Sequence, residues 1–267
     1  MRSAVNEVNK TLFIPLCGKS RVSRRGIILR DPSAERIWAA EGFPLRGSAR
    51  SRWLAYNMAM RARVFDDWTE SMLARDPEAL VVHIGCGLDS RCERVTHRRA
   101  GWIDCDLPEV IAVRRKYFAE TEHYRMEALD AADPAQLEGL PESGSAVAVL
   151  EGLSMYLTNA ELRALLRALR EKYASLHVLL DVYTDFGAAA SRIKNPVKDV
   201  GVSVLYGVDD IRAVIGDLRL RVKAEHSFTP EALINELRGA ERVVFRLLFT
   251  GKLYGKLYRL FELESMP

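Results

Sequence analysis

Residues able to do chemistry recur at the ends of apolar runs in this chain. Leu80 to Ser90 reads Leu-Val-Val-His-Ile-Gly-Cys-Gly-Leu-Asp-Ser, an apolar strand entering a Gly85-x-Gly87 turn with an acid two residues later. Glycines permit positive φ and let a ligand lie against the main chain at the carboxyl end of a strand, where open α/β sheets bind ligands. Asp104 and Asp106 follow 19 and 21 residues after Gly85, the distance at which an acid ending the next strand takes ribose hydroxyls. Asp130 and Glu151 end two further apolar runs, so parallel strands would bring these acids to one rim. Ser90 stands where a dinucleotide fingerprint carries its third glycine, which disfavours a pyrophosphate. Carboxylates crowding one pocket repel phosphate and favour a cation.

A ligand with a ribose, an adenine, a free amine and a positive charge, and with no phosphate, matches that rim. S-adenosylmethionine is such a ligand. Its carboxylate needs a cation, and one is available in the segment before the first strand. Leu54, Met58, Phe65, Trp68 and Met72 form an apolar helical stripe in which the missing slot is Arg61. A guanidinium on a buried face demands an anion. Arg63 lies about 200° further round the helix and is the surface residue of the pair. Other readings remain for single residues: Asp106 as a cap for the helix at Pro108, Asp130 as a turn former, Arg61 as a local partner of Asp66 or Glu70.

The elements that must position these residues alternate between strand and helix, which argues for βα units around a mostly parallel sheet. A helix over residues 54–74 leads to strands at 80–84, 101–105, 125–129, 146–150 and 177–182, with helices near 89–96 and from Pro108 to about 120. Thr158 with Glu161 forms a capping box opening a Leu-rich helix that ends near Tyr173. A lid or insertion occupies 184–206. A helix near 209–216, a strand near 218–225, a helical stretch at 230–249 and a strand near 257–262 follow. One domain over residues 1–267 is the simplest description, with 1–53 as an N-terminal basic lid or cap.

The chain has 267 residues, 48% of them hydrophobic and 28% charged, enough for a full core. No apolar run approaches the roughly 20 residues of a membrane span, and no signal-peptide pattern opens the sequence. Cys17, Cys86, Cys92 and Cys105 form no CxxC pair; a reduced cytoplasmic protein is expected, with no metal site. Net charge is +3, but residues 1–63 hold 13 Lys and Arg against 4 Asp and Glu, a local +9. That asymmetry invites an anionic partner. Nucleic acid is disfavoured, since no aromatic interleaving accompanies the arginines.

The strings Gly85-Cys86-Gly87-Leu88-Asp89-Ser90-Arg91, Asp104-Cys105-Asp106-Leu107-Pro108, Asp130, and Glu151-Gly152-Leu153-Ser154-Met155-Tyr156-Leu157 resemble the leucine carboxyl methyltransferase family, in its bacterial polyketide O-methyltransferase branch. The resemblance implies a class I S-adenosylmethionine-dependent, Rossmann-like fold: seven strands, mostly parallel with the last antiparallel, and helices on both faces. It implies that Arg61 holds the methionine carboxylate, that Gly85 and Glu151 lie near the methionine moiety, that Asp106 takes the ribose, and that Asp130 with Ala131 meets the adenine; Gly87, Asp104 and Gly152 complete the expected cofactor-binding set. His83, Cys86 and Asp104 depart from the family's usual Asn, Ala and Glu.

Methyl transfer from a sulfonium is an in-line displacement on an activated carbon, so alignment supplies much of the rate and a base is optional. The expected reaction is O-methylation, with S-adenosylhomocysteine as co-product. A carboxylate acceptor needs no base, whereas a hydroxyl needs one. His83 reads as a packed strand residue, and His123, His177 and His226 have no motif around them, which favours a carboxylate on a small natural product such as a polyketide. Tyr156 and Tyr206 are candidate acceptor contacts, and Arg21, Arg24 and Arg25, or Arg50 and Arg52, could meet an acidic acceptor. A peptide or protein C-terminus is an alternative acceptor. A non-catalytic adenosyl-binding module and a nicotinamide oxidoreductase are alternatives of other classes, although Tyr156 is followed by Ala160 where the latter's Tyr-x-x-x-Lys pair would need Lys.

Overall fold

The computed structural model describes residues 11–45, 47–96, 99–191 and 204–266. Seven strands form one sheet in the order β3-β2-β1-β4-β5-β7-β6: β1 (Leu80–Ile84), β2 (Trp102–Asp106), β3 (Tyr124–Ala128), β4 (Ser145–Leu150), β5 (Ser175–Tyr183), β6 (Leu220–His226) and β7 (Tyr258–Ser265). The first five pair in parallel, and β7 lies antiparallel between β5 and β6. This is the expected Rossmann-like fold. The strand order reverses between β1 and β4, the point at which open sheets hold ligands.

Period-2 alternation divides the strands between two cores. Val82, Ile84, Cys105, Ala148 and Leu180 face one side, where the Leu-rich helix packs. The other side takes Val81, Trp102, Val147, Val149 and Leu179. Among the described residues the α-helices, in chain order, are α1 (Phe13–Arg24), α2 (Pro32–Glu41), α3 (Arg52–Arg75), α4 (Arg91–Arg94), α5 (Pro108–Arg114), α6 (Asn159–Lys172), α7 (Asp185–Ser191), α8 (Ile211–Ile215), α9 (Glu231–Ile234), α10 (Gly239–Phe249) and α11 (Lys252–Gly255). Phe65, Trp68 and Met72 put α3 on the second side. Leu162, Leu165, Leu166 and Leu169 put α6 on the first, each buried leucine contributing roughly 1.5–3 kcal/mol. The Thr158 capping box is complete: its hydroxyl accepts from Glu161 N, and Glu161 accepts from Thr158 N at 2.7 Å.

Two elements differ from the sequence reading. The helix after Pro108 stops at Arg114, whose guanidinium turns inward to Asp104 and to the carbonyls of Gly87 and Asp89. The stretch 230–249 is two helices, because Arg238 is extended and Gly239 has φ +54°, a geometry that interrupts a helix at little cost only for glycine. Of the expected 184–206 insertion, residues 192–203 lie outside the described residues, as do residues 1–10 of the basic segment.

Gly187 in α7 is a packing requirement: a Cβ there would lie 2.0 Å from the Leu257 carbonyl oxygen. Gly187→Ala is expected to destabilise by about 1–3 kcal/mol, read as a lower thermal midpoint. Gly139→Ala, with nothing within 4 Å of its added carbon, is expected to shift stability by less than about 0.5 kcal/mol.

Candidate functional site

A cavity of about 310 Å³ opens where β1 and β4 end, within the lower range of small-molecule sites. Gly85, Gly87, Asp106, Asp130, Ala131, Glu151 and Gly152 line it, as does Arg61 from α3. Tyr156, Tyr183 and Tyr258 line it as well, and Leu12 with Ile14, Leu16 and Lys19 of the following α1 closes one side.

Gly85, Gly87 and Gly152 all have positive φ, at 73°, 53° and 68°. Asp106, at the tip of β2, accepts from Gly87 N at 2.7 Å and from Leu107 N at 2.8 Å, so one carboxylate holds the glycine turn and the strand end together. Each of its oxygens keeps a further lone pair. Burial raises its pKa over the opposing pull of those two amides. Asp130 is exposed, and its carboxylate closes a local turn by accepting from Ala132 N at 2.9 Å.

Arg61 is 6% exposed. Its partners come neither from Asp66 nor from Glu70: Nε donates to Glu151 at 2.9 Å, and Nη1 donates to Asp181 at 3.1 Å and to the Tyr258 hydroxyl at 2.8 Å. Arg63, two residues on, is half-buried on another face of α3 and pairs with Asp67. Behind the cavity, buried Arg91 joins Glu151 to Asp66, Arg94 joins Asp66, Asp89 and Asp31, and Lys19 of α1 reaches Asp89 at 2.7 Å. Against the burial that would raise it, Arg61 and Arg91 hold the Glu151 carboxyl down to about 2. Asp181 is raised by burial beyond what Arg61 and Tyr258 offset.

Seven expected residues are placed elsewhere. Asp104 shares a strand face with Asp106 but sits one pleat deeper, roughly 7 Å, away from the cavity. It is fully buried and takes bonds from Trp102 Nε1, His83 Nδ1, Tyr124 Oη and Arg114, so it organises the interior rather than a ligand. Tyr206 is exposed and off the cavity wall; only its backbone approaches, donating to Met155 O at 2.9 Å. None of Arg21, Arg24, Arg25, Arg50 and Arg52 lines the cavity. Arg25 and Arg52 instead reach Glu241 at 2.9 and 3.3 Å.

Asp181, Tyr183, Tyr258 and Arg91 are the residues that the sequence reading missed. Asp181 lies two residues before the end of β5, so the rule of an acid at each strand end, extended inward by one pleat, would have found it. Arg91 closes the glycine string itself. Tyr258 had no local signal, because its place depends on β7 pairing with β5.

Among the described cavity-lining residues, Asp89, Asp106, Asp130 and Glu151 face two basic side chains, Lys19 and Arg61, both already paired. With acids in excess of bases, the wall therefore suits a cationic, ribose-bearing ligand better than one that carries phosphates. The leucine carboxyl methyltransferase family model matches residues 18–170. The chain belongs to that family. It is similar to the tetracenomycin polyketide synthesis O-methyltransferase TcmP of Streptomyces glaucescens, 28% identical over 243 residues and 89% of each chain. It is also similar to the S-adenosyl-L-methionine-dependent methyltransferase dpfgK of Gibberella zeae, 31% identical over 170 residues, 58% of this chain and 57% of that one. In fold it resembles an S-adenosylmethionine-dependent methyltransferase from Mesorhizobium loti (TM-score 0.55, 14% identity, 75% of this chain and 98% of that one). It likewise resembles magnesium protoporphyrin IX methyltransferase from Synechocystis PCC 6803 (TM-score 0.52, 13% identity, 88% and 93%). The fold is thus that of class I methyltransferases, and a nicotinamide oxidoreductase is set aside.

Two outcomes follow from the ionic arrangement. Asp104→Ala leaves Arg114 buried without its charge partner and should cost about 3–5 kcal/mol by denaturant unfolding, whereas Asp130→Ala should change little. Because the folded Glu151 carboxyl titrates below its unfolded value, its stabilisation is present above about pH 4.5 and is lost as pH falls towards about 2. The stability gap between the parent and Glu151→Gln should therefore narrow over that window.

Proposed function

We propose that this protein is an S-adenosylmethionine-dependent O-methyltransferase that esterifies a carboxylate on a small-molecule acceptor of the polyketide type. The cofactor is S-adenosylmethionine, and the observation that carries this reading is the cavity's donor set: acids in excess, three glycines at positive φ, and no unpaired cation among the described lining residues. Asp106 would hold the ribose, Asp130 and Ala131 the adenine edge, and Arg61, through the Nη2 that Glu151, Asp181 and Tyr258 leave without a hydrogen bond, the methionine carboxylate. Gly85, Gly87, Gly152 and Glu151 would surround the rest of the methionine end. When bound, this cofactor supplies an activated methyl group for in-line displacement.

The chain's own contribution is alignment and exclusion of water. His83, the one imidazole among the described lining residues, is held between Asp104 at 3.1 Å and Arg91 at 3.2 Å, so it is not available as a base. Burial keeps the Tyr156, Tyr183 and Tyr258 hydroxyls protonated; they can donate hydrogen bonds but not take a proton at neutral pH. Such a wall suits an acceptor that is already ionised, which supports a carboxylate over a hydroxyl. The likeness to TcmP supports a polyketide-type acid. On this reading residues 1–53 form a cap within a single domain and 184–206 a lid, and the four free, buried cysteines accord with a cytoplasmic setting.

Calorimetric titration is expected to give binding of S-adenosylmethionine and S-adenosylhomocysteine but not NAD. Arg61→Ala and Asp106→Ala should each weaken it at least about tenfold (~1.4 kcal/mol), and Arg63→Ala should leave it unchanged. With methyl-labelled cofactor and a panel of aromatic acids and phenols, the label should enter acids and return as volatile methanol in mild alkali, as an ester does. Alkali-stable label would mean an ether and overturn the carboxyl assignment.

A further inference from the structure

Helix α10 is built with two apolar faces. Phe245 points inward, fully buried and packed on Tyr56 and Phe249. On the opposite side, Ala240, Val243, Val244, Leu247 and Leu248 fall at i, i+3, i+4, i+7 and i+8, the stripe with which a helix packs against a neighbour. Yet Val243, Leu247 and Leu248 are 55, 77 and 60% exposed. Buried elsewhere, such a stripe would need no explanation; exposed, it marks a contact surface.

Charge identifies the occupant. Arg242 and Arg246 run along one edge of the stripe, and Arg238 stands at the start of the helix. Arg25 and Arg52 crowd the same end through Glu241. Arg246 is shared with Glu231 on α9 and with Asn235 just after it, while Arg238 and Arg242 have no ion-pair partner among the described residues. Arg25 and Arg52 of the basic N-terminal segment are thus gathered beside α10 and not at the cavity.

We propose that this face of α10 docks an acidic amphipathic helix of a second protein. A second copy of this chain fits less well. An antiparallel two-fold pairing lays the arginine edge along the arginine edge, and a parallel one lays it along Glu241, Val244 and Leu248, where the Glu241 carboxylate is already held by Arg25 and Arg52, so neither gives Arg242 an acid of its own. A membrane fits less well because the face of α10 opposite its exposed stripe is packed in the core and only one edge is cationic, whereas an interfacial helix offers a free, charged polar face. The stripe covers about two helical turns, roughly 12 Å at 1.5 Å per residue, the scale of a transient contact.

The test uses the full chain and a labelled helical peptide with Leu at i, i+3, i+4 and i+7 and Glu along one flank, followed by anisotropy. Expected are binding that weakens with added salt and a loss of about tenfold, near 1.4 kcal/mol, in Leu247→Ser and in Arg242→Glu. Melting temperature and S-adenosylmethionine affinity should be unchanged in both variants, so the result is independent of the cofactor assignment. Equal binding of a peptide with Lys for Glu, or no binding up to about 1 mM peptide, would overturn the proposal. So would sedimentation of a dimer abolished by Leu247→Ser, or co-sedimentation with phosphatidylcholine–phosphatidylserine vesicles that this variant abolishes.

Discussion

Two guanidiniums buried behind one carboxylate hold this structure together at its functional end. Arg61 comes from α3 and Arg91 from the short helix after β1, and both meet Glu151 at the tip of β4. Neither cation can sit in the interior without its acid, since an unpaired buried charge costs several kcal/mol. The pairs therefore fix the approach of α3 to the sheet and set the mouth of β1 against that of β4. Asp181, Asp66 and Asp89 extend the same requirement to β5, back to α3, and through Lys19 to α1.

A second hub does comparable work beneath the glycine turn. Asp104 gathers bonds from β1, β2, β3 and α5, and Arg114 returns from that hub to the carbonyls of Gly87 and Asp89. The conformation of the turn is thus specified from below by Asp104 and from beside by Asp106. The two acids are two residues apart on one strand face, yet one lies deep in the interior and the other at the cavity rim.

That pair also explains what could be read in the sequence. Strand positions, the Arg61 slot in an apolar stripe and the acids at strand ends follow from local periodicity, and the structure has them within a few residues. Asp104 could not be separated from Asp106 because depth along a strand depends on where the sheet edge falls, which neighbouring elements decide. The basic segment misled in a similar way: charge composition predicts an anionic partner but not the direction in which the arginines point, and Glu241, some two hundred residues later, turns Arg25 and Arg52 away from the cavity. Tyr258 was hidden because antiparallel insertion of β7 is a property of topology rather than of any short string.

The position of β7 has a consequence for the order of assembly. It is the last strand in sequence but an interior strand of the sheet, hydrogen-bonded on one edge to β5 and on the other to β6. Until residues 258–265 arrive, β6 has no neighbour to join and Arg61 lacks the Tyr258 hydroxyl. Closure of the sheet is therefore a late, long-range event that pays its loop entropy before any contact repays it. Completion of the Arg61 cluster and closure of the fold are the same step.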